Sequence, residues 1–481
     1  MGSGVRVAVA GMAGLLVAGA AGASIGLTRL STDPYTNTSS QHRTEVEPDS
    51  FAFGSTIVAA FQVGRFFDGG SSNAGFATST NGGSSWTNGF LPGTTKYATP
   101  AGPYDRVSDP AVAYDARHDV WLVSTLAITE SGGVRGVAVI TSRSTDGGLS
   151  WQNPVVTATG TSPDKNWIVC DNTATSPFYG HCYTEWDDNG VGNRIEMNTS
   201  TDGGLTWGSS RTTANNGTGL GGQPLVRPNG TVVVPIASAS VSAIQLFTSS
   251  DGGASWSATQ TIATVTDHNV AGSLRTEPLP SAEIDKKGRI FVFWQDCRFR
   301  SGCSSNDIVY LKVSPAGAVS AVKRVPIDRT TTTVDHFTPG IAVDPSTSGS
   351  TTRLALTYYF FPVANCGSSC QLHVGFTSSS NSGGSWTVPT DVAGPMAPTW
   401  LANTNQGRMY GDYVSTSYVG GSARPAIVVA NAPSGSVFDE AAYSSTAGLL
   451  AAGGTIPTGN EEPVPGARSD HPPPPAPLAI H

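Results

Sequence analysis

The sequence predicts an all-β chain wound into a seven-bladed β-propeller, with six blades as the alternative, and three observations predict it. An eight-residue phrase, Ser-x-Asp/Asn-x-Gly-x-Ser/Thr-Trp, occurs five times, starting at Ser79, Ser144, Ser200, Ser249 and Ser379. Extended segments recur in the same order around each copy. No long helical period stands out after the first 30 residues.

Each phrase reads as a hairpin turn joining two strands. Its acid or amide (Asn81, Asp146, Asp202, Asp251, Asn381) can accept hydrogen bonds from backbone N–H groups just ahead. Its glycine (Gly83, Gly148, Gly204, Gly253, Gly383) supplies a positive φ. The closing tryptophan (Trp86, Trp151, Trp207, Trp256, Trp386) then staples the turn to its sheet. On these residues the chain resembles the sialidase superfamily of propellers, whose Asp boxes, or BNR repeats, have this form. The resemblance implies a propeller over residues 45–448 with the boxes on one face. It leaves the activity open, because such boxes also occur in lyases, other glycosidases and non-catalytic binding propellers.

The box starts lie 65, 56, 49 and 130 residues apart. The last interval is two repeats whose middle box has eroded to Ser314-Pro315-Ala316-Gly317. The second repeat shows the strand order best: Asp109 to Tyr114 innermost, then Val120 to Leu126, then Gly136 to Ser142, and a fourth strand after Trp151. A boxless seventh copy runs through Tyr410 to Tyr418, Pro425 to Ala430 and Glu440 to Ser445.

Outside the repeats, residues 1–23 read as a cleaved secretion signal: Arg6, an apolar run, and Ala-x-Ala sites ending at Ala20 and Ala23. An uncleaved anchor is the alternative. Residues 24–44 read as a linker and 449–481 as a Pro-rich disordered tail. The chain is therefore expected outside the cell, not inserted in the membrane after signal cleavage, and monomeric. A net charge of -8 without a basic run gives a nucleic-acid partner no electrostatic support. Six cysteines form three close pairs, Cys170 with Cys182, Cys297 with Cys303 and Cys366 with Cys370. Disulfides between near neighbours are the economical reading for an exported chain, and a zinc site lacks its usual spacing. No cofactor and no metal are expected.

Strands alternate in direction within a blade, so the box turns and the starts of the innermost strands lie on opposite faces. The pocket is expected at those starts and at the loops joining second and third strands. That rim is polar. It carries Glu45, Glu47, Arg106, Asp109, Asp164, Lys165, Gln223, Arg275, Glu277, His336, Arg408, Tyr410, Asp412 and Tyr413, with Glu185, Asp187, Asp296 and Arg298 from second-strand ends. Glycosidic cleavage needs a proton donor and a nucleophile or base. The sialidase resemblance implies a Tyr nucleophile assisted by Glu, and an Arg clamp on the sugar carboxylate. The candidate catalytic residues are Tyr410, Glu277 and Asp109. The candidate binding residues are Arg106, Arg275, Arg298, Arg408, Asp164, His336 and Asp412.

Each candidate also has a plainer role. Asp109, Asp164 and Glu277 suit entry turns, Tyr410 and Tyr413 suit packing between blades, and His336 suits a polar pore wall. Glu185 to Gly190 reads as a hydrophilic turn rather than a calcium loop. The family's Phe/Tyr-Arg-Ile-Pro motif is not found; its place holds Thr44-Glu45-Val46-Glu47-Pro48. Two functions follow from this rim. One is a secreted glycoside hydrolase, in which Glu277→Gln and Tyr410→Phe abolish activity. The other is a non-catalytic extracellular propeller that binds a glycan, a protein or another cell-surface ligand.

Overall fold

The computed structural model describes residues 1, 25–450 and 462–464. The signal-peptide expectation and most of the Pro-rich tail lie outside these residues. Among the described residues no helix is long and apolar enough to cross a membrane.

Among the described residues seven antiparallel meanders follow one another. Their first strands are Glu45–Phe53, Arg106–Asp115, Pro163–Cys170, Leu225–Val226 (preceded by Gly219–Leu220), Ser281–Ile284, Asp335–Val343 and Ser415–Val419. In the second meander Val120–Thr129, Arg135–Ser144 and Val155–Thr159 follow in order, close to the segments read from sequence. Each first strand neighbours the first strand of the next meander, and Ser415–Val419 returns to Glu45–Phe53. The meanders thus close a ring, with the first strands innermost.

The last meander completes itself from the other end of the chain. Its strands Ser415–Val419, Ser422–Ser434 and Val437–Ser445 lack a fourth partner in sequence, and Leu27–Arg29 supplies it, pairing Leu27 with Ser445 and Arg29 with Tyr443. Residues expected to be linker are therefore structural, and Leu30 and Asp33 are buried beside this strand. At the other end, Leu449–Leu450 pairs with Ser422 and Ala423, so the final sheet extends past the expected boundary at 448.

Among the described residues the apolar side chains form layers between consecutive meanders and not one central core. Val58, Ala60 and Phe76 of the first meet Val112, Trp121 and Val123 of the second. Phe291, Phe293 and Tyr310 of the fifth meet Leu354, Leu356 and Tyr358 of the sixth. Leu30, Ala59, Phe61 and Ala442 close the seam between seventh and first. Because every sheet is covered on both faces, its middle strands read as continuous apolar runs such as Val232–Ser238.

The repeated turns pin these layers on one face of the ring. In the third meander's turn, Asp202 Oδ1 accepts from the backbone N–H of Leu205 and Thr206, both at 3.0 Å, and Oδ2 accepts from Thr206 Oγ1 at 2.6 Å. The closing tryptophan packs on the preceding meander: Trp151 lies 5.8 Å from Phe76, Trp256 lies 6.3 Å from Tyr183, and Trp386 lies 6.1 Å from Phe293. That meander also bonds the turn backbone, Arg143 Nε donating to Gly203 O at 2.7 Å and Tyr310 to Gly383 O at 2.9 Å. At the eroded turn Arg227 donates to Ser314 O and Pro315 O at 2.9 and 3.0 Å. Asp202→Ala is therefore expected to lower stability by about 1–3 kcal/mol, read as a shifted denaturant midpoint.

Asp146 of the second turn adds a pH signature. Its burial is slight, and hydrogen bonds from Ser150, Ser144 and Leu149 outweigh it and bring the carboxyl down to about 2. The stability it contributes is present above the ordinary carboxyl range near about 4 and is lost as pH falls through about 2.

All three cysteine pairs are disulfides: Cys170–Cys182, Cys297–Cys303 and Cys366–Cys370. The first joins the first two strands of the third meander. The other two close short loops that follow second strands.

Candidate functional site

Four innermost strands share one irregularity at the face opposite the repeated turns. The antiparallel register slips between Val46 and Asp49, Ser108 and Ala111, Asp164 and Trp167, and Phe337 and Gly340. Inside each slip sits a non-glycine residue at positive φ: Glu47 at 53°, Asp109 at 48°, Lys165 at 51° and Thr338 at 46°. Such bulges re-aim a side chain, and backbone of this kind is held only where its surroundings over-determine it.

Neighbouring meanders supply that restraint. Asn166 Nδ2 donates to Asp109 O at 3.0 Å, Tyr413 Oη donates to Pro110 O at 3.0 Å, and Glu47 N donates to Tyr410 O at 3.0 Å. Gly411 makes the last approach possible, because a Cβ there would lie 2.9 Å from the Glu47 backbone.

The bulges at Glu47, Asp109 and Lys165 border a polar cavity of about 50 Å3 lined by Glu47, Arg65, Asp68, Gly69, Gly70, Ser108, Asp109, Asp164, Lys165, Arg275, Asn405, Gln406 and Met409. Beneath it Asp412 holds two cations: Arg275 at 2.5 Å, and Lys165 in a direct ion pair. Burial alone would raise the Asp412 carboxyl, but Arg275 and Lys165 outweigh it and hold it well below the usual range. Lys165 correspondingly stays charged against its own burial.

The other carboxyls go the opposite way. Burial, then Asp109 and Asp412, push Glu47 up to about 8, and Gln62 donates to it. Burial also raises Asp109, against the pull of Lys165, and its Oδ1 has no hydrogen-bond partner among the described residues. Arg65, which donates to Gly70 O at 2.9 Å, is brought down to about 10 by burial and by Arg275. Glu185 and Asp187, fully buried in the third meander, are raised well above their ordinary values by burial. Asp188 caps the following turn, accepting from Thr161, Ser162 and Gly190 N–H groups at 2.8, 2.8 and 2.9 Å.

Of the residues expected at the site, Asp109, Asp164 and Arg275 line the cavity and Asp412 anchors its floor. Tyr410 does not reach it. The ring is fully buried, stacked on Tyr359 at 3.9 Å, and its hydroxyl pairs with Thr338 Oγ1 at 2.7 Å, so inter-meander packing occupies the expected nucleophile. Glu277 is half-buried near Arg275, whose charge it supports, and is not among the lining residues.

The expected clamp is dispersed as well. Arg106 bonds Asp68 at 2.5 Å and Glu130 at 2.9 Å, Arg298 bonds Asp296 at 2.6 Å, and Arg408 donates to Leu401 O at 3.0 Å. His336 is buried beside Tyr358 and Phe360, next to the Asn306 carbonyl at 3.3 Å, and burial lowers its pKa. With Asp307 and Asp328 it brings three ligand-type atoms within 4.8 Å of one another. Arg300 and Arg324 already pair with both carboxylates there, supplying the positive charge a cation would bring.

Arg65, Asp68, Asn405 and Gln406 were absent from the sequence-based rim. A second repeat in the sequence marks three of the four bulges, Glu47-Pro48, Asp109-Pro110 and Thr338-Pro339; Lys165 precedes Asn166 instead, and Gln223-Pro224 and Glu277-Pro278 carry the dipeptide without a register slip. The hairpin Ala402–Thr404 and Gly407–Met409, which brings Asn405 and Gln406 to the cavity, has no counterpart in the other meanders among the described residues.

No protein-family model matches the chain, and none of the curated proteins matches it. Among solved structures, an ulvan lyase of polysaccharide lyase family PL25 aligns with a TM-score of 0.51 at 10% identity, over 88% of this chain and 96% of that one. The NanB sialidase of Streptococcus pneumoniae aligns with a TM-score of 0.46 at 12% identity, over 74% and 70%. A protein of unknown function from Dyadobacter fermentans gives 0.46 at 16%, over 74% and 100%. At such identities the ulvan lyase shares an all-β fold with this chain.

Proposed function

We propose that the chain is a secreted seven-bladed β-propeller that hydrolyses extracellular glycans at the cavity ringed by Glu47, Asp109, Asp164 and Lys165. The observation that carries this reading is the convergence of ionisable side chains from separate meanders, three of them on strained backbone, around one polar cavity. Strained backbone clusters at active sites, and carboxyls shifted by burial and a specific charge partner make a cleft a functional-site candidate. The fold shared with a polysaccharide lyase and the three disulfides, which suit an oxidising compartment, are compatible with it. The partner is a glycan; neither nucleic acid nor membrane insertion is part of the proposal, and the protein acts as a monomer.

In this reading Asp109 and Glu47 share a proton at neutral pH, because burial and the charge of Asp109 both oppose ionising Glu47. Asp109 passes the proton to the leaving glycosidic oxygen, and Asp164 acts as the partner base or nucleophile. Arg65, Lys165 and Arg275 give the cavity the positive field that an acidic sugar requires.

Purified protein incubated with uronic-acid and sialic-acid glycosides should release product, and no product from any of them would argue strongly against hydrolysis. An unsaturated uronate in the product would mean elimination instead. Turnover is expected to fall as pH rises through about 8, as Glu47 loses its proton. The same raised carboxyl makes a linked contribution to stability, full below about 4.3, the ordinary glutamate value, and lost as pH rises to about 8.

A binding propeller is the second reading. It is favoured by Arg106, Arg298 and Arg408 being engaged by protein partners instead of converging. Measurable glycan affinity without product identifies it.

A further inference from the structure

At about 50 Å3 the cavity has room for a few water molecules, each needing about 10–15 Å3. That is far below the roughly 300 Å3 at which pockets begin to enclose small molecules. A space of that size suits a polar substituent of a sugar, a carboxylate or a hydroxymethyl group, with the ring and its glycosidic bond at the mouth beside the lining carboxyls.

Phe67 stands on the rim of that mouth. It sits at the tip of the hairpin between Thr56–Arg65 and Ser71–Ser79, and the three residues after it line the cavity. Its neighbour Phe66 turns inward and is buried, whereas Phe67 is 50% exposed. The tip is held rigid from two sides. Asn405 N donates to Phe67 O at 3.0 Å, from the hairpin whose Asn405 and Gln406 line the cavity. Arg106 donates to Gly69 O at 2.8 Å, pairs with Asp68 at 2.5 Å, and lies 4.1 Å from the centre of the Phe66 ring. An exposed apolar ring on backbone fixed from two sides, next in sequence to the lining Asp68 and bonded through its carbonyl to the lining Asn405, suits a pyranose: apolar surface for its C–H face beside a polar mouth for its hydroxyls.

We propose that Phe67 is the platform on which that sugar ring stacks while its polar substituent enters the cavity, which makes it a specificity-determining residue. This rests on the glycan reading above. Covering the exposed part of the ring contributes about tenfold in affinity.

Oligogalacturonides and 3′-sialyllactose are the probes, with binding followed by calorimetry and turnover by product release. Phe67→Ala is expected to raise Kd and KM about tenfold with kcat nearly unchanged, and with the wild-type melting temperature because the ring is half exposed. Phe67→Tyr and Phe67→Trp should restore affinity, and the emission of the introduced Trp should shift when the bound oligosaccharide is added. Wild-type binding that Phe67→Ala leaves unchanged overturns the platform alone. If wild-type protein binds neither probe, the glycan reading falls and the platform with it.

Discussion

Asp109→Asn is expected to reduce product release by about 10²–10⁴-fold, the usual contribution of a positioned acid or base, while the protein stays folded. Asp109 reaches the cavity on a bulge, is raised by burial, and has an oxygen with no partner among the described residues. The amide keeps the shape and the lining and removes only the transferable proton. Glu47→Gln should act similarly and shift the basic limb of the pH profile.

Tyr410→Phe is the contrasting control. It removes the bond to Thr338 and the stability that goes with it, about 1 kcal/mol, and should leave turnover close to wild type. Loss of turnover in Tyr410→Phe with retained turnover in Asp109→Asn would reverse the assignment and restore the tyrosine mechanism that the family resemblance implies.

Asp412→Asn is expected to be the most destabilising single change, at about 3–5 kcal/mol. Its side chain is 4% exposed and balances Lys165 and Arg275, which are 9% and 17% exposed. An amide removes the carboxylate that pairs directly with both largely buried cations, leaving Lys165 to the field of Asp109 and Asp164 and Arg275 to that of Glu47 and Glu277. Denaturant unfolding measures the loss, and the double change Asp412→Asn with Lys165→Met should cost less than the two single costs added. Additive costs would show that Lys165 and Asp412 do not act as a pair.

The strand order was legible because each repeat carries local instructions. Ser200, Asp202, Gly204 and Thr206 close their turn among themselves, so the turn can be read without knowing its neighbours. Asp109 was legible for a related reason: it opens an inner strand, and the alternation of strand direction places that point on the mouth. The outer strand at Leu27–Arg29 was not, since three residues have no periodicity to detect and their partner lies about four hundred residues away. For Tyr410 both a mouth position and packing between blades stayed open, because alternation fixes which face a residue occupies and leaves open whether its ring points to the axis or into the seam between sheets.

The amino-acid sequence by itself determined the repeated turns, the β-class, the order of strands, the cysteine pairing and the face on which charged residues gather. These depend on contacts within a few tens of residues. Only the tertiary structure decided which of those charges meet. Glu47, Asp109, Lys165, Arg275 and Asp412 come from five separate parts of the chain, and their proximity is set by ring closure and, for Glu47, Asp109 and Lys165, by bulges that re-aim the side chain. Their protonation follows from that meeting, because burial and opposite charge act through space and take no account of sequence distance.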